Sequence, residues 1–388
     1  MDFDKFVEET RIWWSEYFRT VIKDQIEGRI TAKSERIFFP NILLVTNCSG
    51  YYVAEFIGAS EKFEELSIKI HKEKSIYRYL SQFDDKEPDA ILRLDAANIC
   101  LSSMCLAHDA DFNALKERFP QIDLYRSGLN RVGGRGSSLG FGENFVSCMI
   151  ENSILVNRSE NVFRCKSILS ACIVSSTVNK DQLIDLFVDA TGGEDVWGVF
   201  AMEGEDSRLV IAEQLQSMFL FPNLRETTIG EFIIRHPDIV KKAFKTDHFE
   251  YEPYLEWLEH DGTCEDRAIN PDLLVKREDG FYDIYDLKTA LLDKRSITKK
   301  GRNRRQFIDC IEDGISQLAN YREYFEYPKN AALAKNKYGI EVKDPKLVLI
   351  VGSWENVDID AVNQACRKHK NASVIDYDTL CHMFRGAL

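Results

Sequence analysis

The sequence predicts an α/β chain of two domains, and three observations carry that reading. Stretches with a helical repeat of apolar residues alternate with short runs of β-branched and aromatic residues. At 388 residues the chain is long enough to bury two separate cores. The motifs able to support chemistry all fall beyond residue 205. We therefore divide the chain into an N-terminal α/β domain, 1–205, and a C-terminal domain, 206–388, that carries the reactive residues.

Taken in order, Asp4 to about Asp24 reads as a helix with Phe6, Ile12, Trp13, Tyr17, Val21 and Ile22 as its apolar positions. Ile37–Thr46 and Tyr51–Ile57 read as strands and Glu61–Phe83 as a helix, while the apolar runs of Ala90–Ala107 fit either type. Gly128–Gly142 is glycine-rich and carries Arg131 and Arg135, with Arg126 just before it. It matches neither the dinucleotide fingerprint nor a P-loop and reads as a mobile loop. Strands are expected at Phe163–Val178 and Val196–Met202, with helices at Gln182–Ala190 and Leu209–Leu220. In the second half a helix should begin near Thr227 or Thr228, either of which could cap it, and bury Phe232, Ile239, Val240 and Phe244. Arg305–Tyr327 reads as a helix followed by a lysine-rich loop, and Leu347–Gly352 as a fully buried strand.

Composition narrows the function classes. With 44% apolar and 29% charged residues the chain is an ordinary soluble globular protein with no membrane-span-length apolar stretch. The start, Met1-Asp2-Phe3-Asp4-Lys5, lacks a secretory layout, and none of the ten cysteines forms a CxxC pair. The expectation is a cytoplasmic protein with buried thiols, without membrane attachment. A formal net charge of −13 excludes wholesale coating of nucleic acid by electrostatics, but it leaves room for a local basic track. Lys294, Arg295, Lys299, Lys300, Arg302, Arg304 and Arg305 form one, seven cations in twelve residues.

That track follows the most informative pattern in the chain: Pro271-Asp272, thirteen residues, then Asp286-Leu287-Lys288. Each half alone is noise, because Asp/Glu-x-Lys occurs four times and Pro-Asp three times. Only this combination has both halves in order on strand-like sequence, joined by the turn signal Glu278-Asp279-Gly280. Asp286 and Lys288 are two apart in a strand and so share a face, and a hairpin would bring Asp272 beside them. Two carboxylates suit a hard divalent cation, and an ammonium beside them suits an attacking water or a phosphate. Upstream, Glu231 can supply a third acid near a helix start, with Glu226 as its competitor. Downstream, Gln317 and Tyr321 are four apart and share a helix face.

These residues resemble a family. Pro271-Asp272…Asp286-Leu287-Lys288 with Gln317-Leu318-Ala319-Asn320-Tyr321 is similar to the PD-(D/E)xK nuclease superfamily, whose core is αβββαβ. More narrowly, residues 225–385 resemble Shedu, a bacterial anti-phage defence nuclease family. The resemblance is carried also by Glu231-Phe232-Ile233-Ile234-Arg235-His236-Pro237, Asn270-Pro271-Asp272-Leu273-Leu274 and the ending Val374-Ile375-Asp376-Tyr377-Asp378-Thr379-Leu380.

The resemblance implies that Glu231, Asp272, Asp286 and the Leu287 carbonyl hold Mg2+, with Mn2+ as the alternative ion. Lys288 would be the catalytic lysine and Gln317 an auxiliary site residue. It further implies a homo-oligomer, commonly a tetramer, acting on DNA. With Tyr321 and the basic track Lys294–Arg305 holding the DNA backbone, the expected activity is a low-specificity endonuclease. The rival reading is a DNA-binding or sensing scaffold on a nuclease fold without significant cleavage. The N-terminal half contributes no motif and is expected to regulate or to sense DNA.

Overall fold

The computed structural model describes residues 1–30, 36–81, 92–95, 99–102, 104–106, 130–132, 139–159, 162–192, 196–198, 200–202, 208–221, 224–262, 266–291, 293–301, 304–369 and 371–385. They form a mixed α/β protein of two compact units, Met1–Asn157 with Cys165–Ser217, and Arg158–Arg164 with Met218–Leu388. The division falls inside the helix Arg208–Phe219, beside the sequence-based boundary at 205.

The first unit is built on an eight-stranded sheet. Its path runs Ser67–Lys72, Ile42–Cys48, Tyr51–Ile57, Val162–Ser175, Ser147–Ser159, Met104–Leu106, Asn130–Val132, with Ile99–Ser102 also on Ser147–Ser159. The helix Phe3–Ile26 starts where the Asp2 carboxylate accepts from the Lys5 N–H. Phe6, Trp14 and Phe18, spaced eight and four apart, lie fully buried in this unit's core with Phe56 and Phe187. Asn179 and Gln182 form a capping box that opens the helix Lys180–Thr191.

The expected helix Glu61–Phe83 is corrected. Ser67-Ile68-Lys69-Ile70-His71-Lys72 alternates with period two and pairs in parallel with Ile42–Cys48, leaving a helix only at Ile76–Ser81. The Ala90–Ala107 runs contain the short strands Leu92–Leu94, Ile99–Ser102 and Met104–Leu106. Most of the glycine-rich loop, with Arg126 and Arg135, lies outside the described residues. Of the described cysteines, Cys48, Cys148, Cys172 and Cys381 are buried free thiols, whereas Cys100 and Cys310 are exposed.

The second unit has a five-stranded sheet in the order Phe249–Tyr251, Leu273–Lys276, Tyr282–Leu287, Leu347–Ile350, Ala372–Ile375. The first three strands are antiparallel neighbours and the last three run parallel. Parallel neighbours need a crossover, and the helix Asp309–Glu326 supplies it between Tyr282–Leu287 and Leu347–Ile350. Its Ile311, Ile315, Leu318, Tyr321 and Tyr324 are buried in the core with Leu274, Ile284 and Leu349. Helices Glu226–Arg235 and Asp238–Phe244 precede the sheet, short strands Leu255–Glu256 and Ala268–Ile269 and the pair Thr298–Lys300 and Arg305–Phe307 interrupt it, and Ala372–Ile375 lies at its edge.

Three local expectations change here. The helix near Thr228 starts at Glu226 after Arg225, with no side-chain cap, so Glu226 occupies the first turn and Glu231 the second. Arg305–Phe307 is a strand rather than a helix start; it pairs with Thr298–Lys300, and this hairpin carries the basic track. Pro328 at the first helical position opens a further helix, Pro328–Tyr338, where a lysine-rich loop was expected, and Gly339 ends it at φ +71°.

Candidate functional site

The site lies where the central strand Tyr282–Leu287 ends. Leu273 pairs with Tyr285, so Asp272, one step before its strand, meets Asp286 across the hairpin. One Asp272 carboxylate oxygen accepts from the Leu287 N–H at 2.6 Å, which fixes the acid to the strand end. Asp286 is 1% exposed, and neither of its carboxylate oxygens has a well-formed hydrogen bond. What faces it is the Lys288 ammonium, 2.7 Å from Oδ2.

Lys288 follows the last strand residue and is held from several directions. Its N–H donates to the Ile350 carbonyl at 2.9 Å, and its carbonyl accepts from the Tyr377 hydroxyl at 2.6 Å. Its ammonium donates to Gln317 Oε1 at 3.2 Å and stands 3.7 Å from the Glu226 carboxylate. The Gln317 amide donates to the Tyr321 hydroxyl, which donates to the Asn270 carbonyl at 3.2 Å. A chain of contacts thus runs from Lys288 back to the residue preceding Pro271-Asp272. The i,i+4 spacing of Gln317 and Tyr321 is what lets one helix face serve both ends of it. On the same helix, a Cβ at Gly314 would stand 3.2 Å from Lys288 Cε and 3.1 Å from Leu349, so the glycine gives the lysine stem its room.

Electrostatically the cluster is crowded with negative charge. Burial raises the Asp272 pKa, and the Asp286 charge raises it further, against the Leu287 N–H and Lys288. Burial likewise raises Asp286, with Lys288 opposing, and raises Glu226, again with Lys288 opposing. The three acids in turn keep Lys288 above its ordinary value despite desolvation. The fully buried Tyr377 phenol is raised by desolvation and by the Asp272, Glu226 and Asp286 charges.

Of the residues singled out from sequence, Asp272, Asp286, Lys288, Gln317 and Tyr321 come together, with the Leu287 backbone among them. The acid that meets Lys288 from the preceding helix is Glu226. Glu231 is solvent-exposed, and its charge is felt at the Tyr251 phenol, which also senses Asp272. The basic track is spread over the hairpin and the residues just before it. Lys300, Arg304 and Arg305 are exposed with Arg295, Lys294 pairs with Asp293, Lys299 pairs with Asp309, and Arg302 lies outside the described residues. Sequence reasoning missed Tyr377, although the ending Asp376-Tyr377-Asp378 was noticed. A lone aromatic at a helix start carries no spacing signal.

Among the described residues no group of three or more His, Cys, Asp and Glu side chains is arranged to hold a metal ion, and no helix is long and apolar enough to cross a membrane. The arrangement is that of a mixed α/β domain with two acids and a lysine gathered at strand ends. Residues 220–381 match the family model described as Shedu protein SduA, C-terminal, which supports Shedu family membership for this C-terminal part of the chain. Membership of that family would imply a part in anti-phage defence. No curated protein matches the chain.

Proposed function

We propose that the C-terminal unit is a metal-dependent DNA endonuclease of PD-(D/E)xK type that nicks or cleaves phage or other foreign DNA with low sequence specificity. The observation that carries this reading is the buried Asp286 beside Asp272, two carboxylates at one strand end with the Lys288 ammonium facing Asp286. Two such acids against one lysine leave negative charge that a further cation would offset. The donor set fits Mg2+, with Mn2+ as the alternative. Mg2+ commonly takes one or two carboxylates, keeps several waters and binds substrate phosphates, so a third protein acid is not required. Asp272, Asp286 and the Leu287 carbonyl would hold it, and when bound it would polarise a phosphoryl oxygen and acidify a water.

The chain's own groups supply the rest. Lys288, kept protonated by the surrounding acids, orients the attacking water and offsets charge on the phosphoryl oxygens. Gln317 and Tyr321 fix the position of that ammonium. The exposed cations of the 298–307 hairpin grip the phosphate backbone without reading bases, so binding should weaken steeply with salt. A homo-oligomer, a tetramer by family likeness, belongs to the same proposal.

The test is purified protein with Mg2+ on linear and closed circular DNA, beside Asp272→Ala and Lys288→Ala. Wild type should nick or cut, and each substitution should remove at least about a hundredfold of the activity. Equal cleavage by all three proteins would sink the site assignment. Tight DNA binding without cleavage by any of them would replace the nuclease with a scaffold.

A further inference from the structure

Lys288 stands just past the last residue of its strand, where the sheet ladder no longer fixes both backbone groups. Its N–H is still taken by Ile350, but its carbonyl points away from the ladder and is met by the Tyr377 hydroxyl. Tyr377 is itself held on every side. Its own N–H donates to the Gly352 carbonyl at 3.1 Å, and its ring stacks on Phe219 with centroids 5.4 Å apart and planes at 27°. The neighbours in the motif each do a different job. Asp376 accepts from the Thr379 N–H and caps the helix Tyr377–Arg385, Asp378 accepts from the Trp354 N–H at 2.7 Å, and Leu380 is buried.

From this geometry we infer that Tyr377 is a positioning residue for Lys288: its hydroxyl fixes the lysine backbone so that the ammonium reaches Asp286 and Gln317 together. The inference deepens the nuclease reading and rests on it for its kinetic part. The side-chain contacts of Lys288, to Asp286 at 2.7 Å and to Gln317 at 3.2 Å, leave little tolerance for a shift of its Cα. A released carbonyl would be a buried acceptor with no partner, and the chain after the strand would turn to find water. The ammonium would move with it.

Tyr377→Phe keeps the ring, its stacking and its burial while deleting only the donor. In the full chain with Mg2+ and plasmid DNA, kcat should fall about ten- to a hundredfold, the scale of a misplacement of about 1 Å, with KM for DNA unchanged within about twofold. A second readout needs no turnover: acetylation of Lys288 by an amine-reactive ester, followed by mass spectrometry. It should run about tenfold faster in Tyr377→Phe, the change in local opening that one lost hydrogen bond brings. Lys276 and Lys242 should react at wild-type rates. A variant with a lower Tm but wild-type kcat and wild-type Lys288 labelling would make Tyr377 a packing residue and overturn the inference. A wild type that cuts no DNA would remove the nuclease reading, yet the labelling contrast would still decide whether Tyr377 holds Lys288. Should Tyr377→Phe not fold, Phe219→Leu, which loosens the ring and keeps the hydroxyl, should raise Lys288 labelling in the same direction. Unchanged labelling there would equally overturn it.

Discussion

Each unit contains a lysine against a buried acid, and the two pairs could hardly be used more differently. In the N-terminal unit Lys166 and Glu55 meet at 2.8 Å, with side chains 1% and 2% exposed, and the same Glu55 oxygen accepts from the Tyr79 hydroxyl at 3.2 Å. One acid, one base and a hydroxyl meet inside a sheet. In the C-terminal unit Lys288 and Asp286 meet at 2.7 Å, but Lys288 keeps 17% of its side chain exposed, and Asp272 and Glu226 add further negative charge. A matched, sealed pair serves the fold. An unmatched pair with an opening to solvent is what the proposed metal ion and phosphate would complete.

The largest expected effects separate the two pairs. Glu55→Gln should cost about 3–5 kcal/mol of stability in denaturant unfolding, because it removes the carboxylate charge 2.8 Å from the buried Lys166 ammonium. Asp286→Asn should change stability by no more than about 1 kcal/mol, since it relieves the repulsion with Asp272 as it removes the Lys288 contact. The same substitution should remove at least about a thousandfold of DNA cleavage. An Asp286→Asn protein as destabilised as Glu55→Gln would erase the distinction between a structural pair and a reactive one.

How much of this was legible in the sequence follows from the range of each signal. Asp272, Asp286, Lys288, Gln317 and Tyr321 were readable as one cluster because period two in a strand and period 3.6 in a helix decide which side chains share a face. The choice between Glu226 and Glu231 was not, because it turns on where a helix without a side-chain cap begins, a shift of two residues. Ser67–Lys72 reads locally as part of a helix, because its strand is set by long-range pairing with Ile42–Cys48 rather than by local pattern. The basic track was recognised by composition, but its hairpin form depends on Lys299 opposing Gln306 and Lys300 opposing Arg305. Tyr377 acts on a residue 89 positions away, and no local spacing announces such a contact.

Acid should divide the pairs again, with a smaller effect. His382, in the helix that Tyr377 starts, is held down to about 3 by burial and, secondarily, by the Arg385 charge. A histidine neutral in the fold but of ordinary pKa near 6.5 when unfolded binds its proton first in the unfolded chain. Its contribution is therefore fully present above about pH 6.5 and is lost as pH falls toward 3. Between pH 7 and pH 5 that amounts to about 2 kcal/mol. The raised carboxyls Asp272 and Asp286 work with the opposite sign, since their protonation in the fold relieves charge. The histidine part is isolated by His382→Gln, which should lose about 2 kcal/mol less than wild type over that interval in urea melts. Equal losses would assign the acid sensitivity elsewhere.

The last contrast lies within a single helix and sharpens what makes the second pair unmatched. Glu226, itself exposed, stands 3.7 Å from the Lys288 ammonium with its pKa raised by desolvation, whereas the exposed Glu231 lies in the next turn and its charge is felt at Tyr251. If the surplus of negative charge around Lys288 is what prepares it for a cation and a phosphate, the acid that adds to that surplus should matter. Glu226→Gln should lower kcat about tenfold, the scale of about 1.4 kcal/mol, with folding unaffected. Glu231→Gln should leave kcat within about twofold, as exposed surface substitutions do. The reverse order would move the third acid to Glu231 and require that the helix Glu226–Arg235 turn its second turn toward the strand ends when DNA is bound.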